Sequence, residues 1–229
     1  MGELRTISQS EEPFWDRAEA GRILAGELCG LSGSRPVVLG IPRCGVMVAS
    51  EIARILGADL DVVVARKLCE PGNPDIPIGA INEDGKLFLA RESPVLTGLC
   101  EGYENTEEDL EKQYTMIAWS IEKYRGIRPR VPLAGRTVII TDDGLSSGMA
   151  MQAALWTVRE EKPEKLIAAV PVASMEGIER ISDFADETVV LKTPPVFYDV
   201  GQFYEYFDKT TDEQVIAALK ESMERSIVM

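Results

Sequence analysis

The chain has 229 residues, of which 45% are hydrophobic and 27% charged, and its 24 basic against 38 acidic side chains leave a formal net charge of −14. That length buries one large core, so one domain is expected; no stretch approaches the roughly 18 apolar residues of a membrane span, and the negative charge opposes a nucleic-acid partner. There is no histidine, and the four cysteines (Cys29, Cys44, Cys69, Cys100) form no C-x-x-C pair, which excludes the usual soft-metal ligand sets and every histidine-based triad.

Chemistry must therefore rest on carboxylates, hydroxyls, basic side chains, backbone amides or a hard cation held through oxygen. The start, MGELRTISQSEEPFW, has acids where a secretory signal has a basic end and an apolar run. Cytoplasmic residence is expected.

Residues 13–29 place Phe14, Ala18, Ala20, Ile23, Leu24, Ala25 and Leu28 at helical spacings. A short apolar run at 36–40 follows, of the kind that a parallel strand covered on both faces requires. The loop Ile41-Pro42-Arg43-Cys44-Gly45 interrupts it, and 46–56 resumes a helix that Gly57 ends. The cycle repeats with a strand at 60–65, a Pro/Gly-rich loop at 68–77 and a strand at 78–82. Glu83-Asp84-Gly85 then reads as a tight turn into a strand at 86–90.

Residues 104–125 form a long charged helix outside the sheet, with Leu110, Tyr114, Ile117, Trp119 and Ile121 as its apolar members. The second half alternates a strand at 137–141, a helix at 149–160, a strand at 166–170, a helix at 175–184 and a strand at 188–191. The tail carries Phe197, Tyr198, Phe203, Tyr204, Tyr206 and Phe207, then a helix from 212 to about 226 capped near Thr211. There is no internal repeat and no low-complexity linker. Such βα alternation predicts an α/β fold with a mainly parallel sheet and helices on both faces.

Open α/β sheets bind ligands at the carboxyl ends of their strands. After the strand at 137–141 the chain reads Asp142-Asp143-Gly144-Leu145-Ser146-Ser147-Gly148-Met149-Ala150 and opens directly into a helix. Glycines let the backbone turn and approach a ligand, and the free amides of a helix start point at an anion such as phosphate. Ser146 and Ser147 add hydroxyls. The carboxylates suit sugar hydroxyls or an oxygen-ligated Mg²⁺. Taken alone, the same residues also read as a calcium-like acidic turn or an ordinary strand-to-helix loop.

The stretch Val138-Ile139-Ile140-Thr141-Asp142-Asp143-Gly144-Leu145-Ser146-Ser147-Gly148 resembles the signature with which type I phosphoribosyltransferases bind 5-phosphoribosyl-1-pyrophosphate (PRPP): an apolar strand, two acids and a Thr/Ser-Gly turn. The resemblance implies that Asp142 and Asp143 contact the ribose hydroxyls and Mg²⁺, and that Gly144, Leu145, Ser146, Ser147, Gly148, Met149 and Ala150 cradle the 5′-phosphate. Ala150 stands where the family commonly has Thr or Ser, so the cradle leans on backbone amides.

Two further loops fit. The segment Arg43-Cys44-Gly45 resembles the pyrophosphate loop, where relatives often read Pro-Arg-Gly-Gly and Cys44 is a departure. The pair Arg66-Lys67, by itself an ordinary solvated strand end, resembles the basic pair that meets pyrophosphate, and 68–77 then corresponds to the family's mobile lid. The resemblance runs in order from about Val37 to Val172 and is greatest to a branch of uncharacterised members.

It implies one domain with a core at about 36–192, a hood from about 1–30 and 193–229, and a helical insertion at about 93–130. It further implies transfer of the phosphoribosyl group to a nitrogen acceptor, a nucleobase or related small molecule, with loss of pyrophosphate, a place in nucleotide salvage, and a homodimer. The family's 6-oxopurine enzymes carry an acid where this chain has Ser146. The aromatic tail offers a stacking surface for the acceptor, or else core or dimer contacts. A PRPP-binding sensor without transfer is the alternative reading. Neither G-x-G-x-x-G nor a G-K-[ST] loop is present.

Overall fold

A computed structural model describes residues 2–70, 73–83, 85–89 and 106–228. Its strands are β1 (Glu3–Ser8), β2 (Val37–Gly40), β3 (Asp59–Val62), β4 (Ala65–Glu70), β5 (Asn73–Asn82), β6 (Leu87–Leu89), β7 (Thr137–Thr141), β8 (Lys165–Val172) and β9 (Glu187–Lys192). The helices are α1 (Arg17–Glu27), α2 (Cys44–Leu56), α3 (Thr106–Arg125), α4 (Met149–Glu160), α5 (Met175–Ile181) and α6 (Asp212–Val228), with 3₁₀ turns at Cys29–Leu31 and Val200–Phe203.

Six strands form one sheet in the order β1-β9-β8-β7-β2-β3, with every pairing parallel. All four residues of β2 and the last seven of β8 are buried, which explains why these segments read as unbroken apolar runs. Successive side chains of a strand point to opposite faces. In β7, Ile139 joins Ala20, Leu24, Ile52 and Leu219 on one side, while Val138 and Ile140 join Leu155, Val158 and Ile178 on the other. The parallel sheet covered by helices on both faces is thus the expected α/β architecture.

Three features depart from the sequence reading. β1 has no counterpart among the expected strands, because the mostly exposed Glu3–Ser8 has no apolar alternation, and it pairs with β9 at the sheet edge. The run 60–65 is two strands: β3 ends at Val62, and Ala65 begins a separate antiparallel sheet, β4-β5-β6. The expected loop at 68–77 falls largely within β4 and β5, which pair across two irregularities at Leu68, Cys69 and Glu70. Pairing satisfies backbone groups there despite Pro74 and Pro77. The turn expected at 83–85 includes Asp84, and the expected insertion includes 93–105; these lie outside the described residues.

The base of this small sheet is fixed to the large one by charge. Asp61 accepts hydrogen bonds from Val62 N at 2.8 Å, Arg125 Nη1 at 2.7 Å and Val131 N at 2.9 Å, and Arg125 also reaches Glu83 at 3.2 Å. Asn82 Nδ2 donates to Thr157 Oγ1 of α4 at 2.8 Å. The hairpin therefore rests on the helix that opens after the glycine-rich loop.

The two ends of the chain meet. Phe14 N donates to Phe203 O at 2.8 Å, and Glu205 N and Tyr206 N donate to Phe14 O and Trp15 O at 2.8 and 2.9 Å. α1 begins at Arg17 behind its cap Asp16, whose carboxylate accepts from Glu19 N at 2.7 Å. α6 starts behind Thr211, the expected cap, which exchanges two hydrogen bonds with Gln214 in a reciprocal capping arrangement.

Candidate active site

The loops after β2 and β7 lie side by side because those strands are neighbours, with Gly40 opposite Thr141. Ile41 N donates to Thr141 O at 3.0 Å, and the peptide bond from Pro42 to Arg43 is cis. α2 then begins at Cys44, two residues earlier than its apolar pattern suggests. Gly45 faces the other loop, and a Cβ there would stand 2.7 Å from Thr141 O.

The 142–148 loop is anchored from below by the end of β8 and by α5. Leu145 N donates to Val172 O and Ser174 N to Leu145 O, both at 2.8 Å, and Ser174 Oγ donates to Ser146 O at 2.6 Å. Gly177 passes so close that an added Cβ would meet Ser146 O at 2.5 Å. Gly148 takes the left-handed conformation, φ 74°, as the N-cap of α4, with no side chain capping the helix. The start of α4 thus has no side-chain cap, with Ser146 exposed, Ser147 and Ala150 half-buried, and Gly148 and Met149 buried.

The twin acids are not equivalent. Asp142 is half-buried and Asp143 is buried. Burial first, and the neighbouring Asp143 charge second, push the Asp142 carboxyl well above the usual carboxylate range, against the opposing pull of Arg17. The Asp143 Oδ2 accepts from Arg17 Nε at 2.9 Å in a buried ion pair. Tyr204 Oη donates to the Asp143 carbonyl at 2.6 Å, and burial, with Asp143 next, pushes that phenol far up. Gly144 packs against Val200 and Val172 without space for a side chain.

The pyrophosphate-like loop is held by the chain's C-terminal part. The half-buried Cys44 thiol is pushed up by burial and then by the Asp143 charge. Arg43 is more than half exposed, and its Nη1 stands 3.9 Å from Asp212 Oδ2, which Lys123 Nζ approaches at 3.3 Å. Arg66 and Lys67 lie on β4 opposite Ile81 and Ala80, rather than in a loop, and their side chains are outside the described residues.

The aromatic tail divides. Phe203 and Tyr204 are core, whereas Tyr198, Tyr206 and Phe207 are exposed. Phe207 stacks on Tyr204 and under the Arg17 guanidinium, 4.1 Å from its ring centre. Arg17 and Asp212 are not among the expected site residues, and Tyr204 is expected only as part of the aromatic tail. Nothing local distinguishes Arg17 and Asp212, since their contacts come from partners far along the chain.

Among the described residues no group of three or more Cys, Asp or Glu converges to hold a metal, and no helix is long and apolar enough to cross a membrane.

Similarity to known proteins agrees with this geometry. The family model "Phosphoribosyl transferase domain" matches residues 17–206. Two Mycobacterium tuberculosis proteins (strains CDC 1551 / Oshkosh and H37Rv), provisionally named phosphoribosyl transferases, are each 42% identical over 206 residues, covering 90% of this chain and 46% of theirs. The chain therefore spans about half the length of these relatives. The crystal structure of a Thermus thermophilus protein superposes with a TM-score of 0.76 at 42% identity, over 91% of this chain and 98% of that one. The family match, the parallel sheet and the glycine-rich loop at the end of β7 agree, and the chain belongs to the phosphoribosyltransferase family, with its type I fold.

Proposed function

We propose that this chain binds PRPP in the cleft formed by the loops after β2 and β7 and transfers its phosphoribosyl group to a nitrogen acceptor. The observation that carries this reading is the uncapped N-terminus of α4 behind Gly148, beside the half-buried Asp142. The 5′-phosphate sits on the α4 amides with the Ser146 and Ser147 hydroxyls, and Asp142 accepts hydrogen bonds from the ribose. Arg43, the α2 start at Cys44 and Gly45, and Arg66 with Lys67 receive the pyrophosphate.

The acceptor nitrogen's lone pair forms the bond to C1 as the C1–O bond breaks, and pyrophosphate leaves with that electron pair. Charge develops as in glycoside transfer, and no protein nucleophile is needed, which suits a chain without histidine. The protein's part is alignment, charge stabilisation and exclusion of water. Asp142, with Asp143, would hold Mg²⁺, which commonly keeps water and substrate oxygens as its other ligands, and the ion would supply positive charge toward the departing pyrophosphate.

Incubation with PRPP, Mg²⁺ and a panel of nucleobases, with pyrophosphate measured, tests the proposal. Release with one acceptor is expected. Because Ser146 replaces the family's purine-directed acid, hypoxanthine and guanine are expected to be poor acceptors. PRPP binding by calorimetry without pyrophosphate from any acceptor would instead establish a sensor.

A further inference from the structure

Arg17 is 7% exposed, yet it touches three parts of the chain. Its Nε donates to Asp143 Oδ2 at 2.9 Å, its Nη1 donates to Asp208 O at 2.8 Å, and its guanidinium lies 4.1 Å from the Phe207 ring centre. The two hydrogen-bond partners are 126 and 191 residues away in sequence. A guanidinium can meet all three at once because its donors are splayed in a plane whose face remains free to stack.

Asp143 is consequently fixed from three directions. Its carboxylate is held by Arg17, its carbonyl accepts from Tyr204 Oη at 2.6 Å, and its N–H donates to Asp142 Oδ1 at 2.9 Å. That last bond orients the neighbouring Asp142 carboxylate. Immediately afterwards Gly144 is pinned against Val200, which belongs to the same C-terminal segment as Tyr204 and Asp208.

We infer that Arg17 is a positioning residue of the PRPP site: acting through Asp143, it sets the shape of the 142–148 loop and the direction of the Asp142 carboxylate, and so joins the chain ends to the phosphate cradle. The inference rests on the PRPP-binding reading above. It gives the twin acids separate roles, with Asp142 meeting the ribose and Asp143 serving as the anchor through which Arg17 works.

A double-mutant cycle tests it. PRPP affinity in the presence of Mg²⁺ is measured by calorimetry for the full chain, Arg17→Gln, Asp143→Ala, the double variant and Arg17→Lys, with melting temperatures recorded in parallel. Arg17→Gln and Asp143→Ala are each expected to weaken PRPP binding at least about tenfold, and the double variant no further than the weaker single one, because coupled residues are not additive. Arg17→Lys keeps the charge but not the fork, and recovers part of the loss.

Losses that multiply in the double variant would overturn the inference. So would a lowered melting temperature with unchanged affinity in Arg17→Gln, the behaviour of a purely structural residue. Should Arg17→Gln not fold, the double variant, which leaves no buried carboxylate unpaired, is compared with Asp143→Ala: equal affinity supports the inference and a further loss overturns it. Absence of PRPP binding by the unaltered chain overturns this inference and the proposed function together, whereas binding that ignores Arg17 removes this inference alone.

Discussion

Gly45 and Asp142 approach each other with no room for a side chain: a Cβ on Gly45 would stand 2.8 Å from Asp142 Cα and 2.9 Å from its Oδ1. The first turn of α2 and the acid after β7 thus share one narrow space, which joins the loop after β2 to the Asp142 carboxylate.

Gly45→Ala is expected to push these loops apart. The cost is about 1–3 kcal/mol, the usual range for overpacking, because two of the three nearest atoms are backbone and cannot swing away. Denaturant titration reads the loss of stability, and calorimetry reads a larger proportional loss of PRPP affinity, since the displaced carboxylate is the one proposed to meet the ribose.

Gly148→Ala meets two obstacles. Its φ of 74° lies in the left-handed region, which costs a side-chain-bearing residue roughly 1–2 kcal/mol, and the new Cβ would lie 2.9 Å from Gly177 O. Either the α4 start or α5 must shift. Loss of phosphate or PRPP binding that exceeds the loss measured at a remote control site, such as the exposed Gly57→Ala with φ 64°, is the expected outcome.

Asp142→Asn is expected to raise stability while abolishing PRPP binding. The raised carboxyl keeps its proton in the folded chain at pH values where the unfolded chain has released it. Its stabilising contribution is therefore complete below the unfolded value and is lost as pH rises through the folded one. Asparagine removes that dependence, so the melting temperature near neutral pH increases and its decline across this window flattens. In the unaltered chain PRPP affinity falls as pH is lowered through the same window, since a protonated acid accepts hydrogen bonds less well.

Asp61→Ala tests the fastening of the β4-β5-β6 sheet. Asp61 is 1% exposed and satisfies Val62 N, Val131 N and Arg125 together. Its removal leaves two buried amides without their acceptor, while Arg125 keeps Glu83 at 3.2 Å and Val62 O at 3.0 Å, a loss on the order of 2–5 kcal/mol. Hydrogen exchange is expected to show faster opening of β4 and β5 than of β7 and β8.

Whatever depends on neighbours along the chain was legible in the order of the amino acids. The bounds 137–141 and 149–160 coincide with β7 and α4, because an apolar run, a left-handed glycine and a helical apolar pattern are local signals. The glycine-rich loop between them was readable for the same reason, and so was the Thr211 cap. Features that depend on distant partners emerged only on packing. β1 exists because β9 offers an edge, and the run 60–65 divides because Ala65 opposite Asn82 pairs in a second sheet. Asp142 and Asp143, adjacent and chemically identical, differ because Arg17, 126 residues from Asp143, claims one of them. Burial and charge pairing are properties of the packed chain, and no local pattern encodes which carboxylate will be taken.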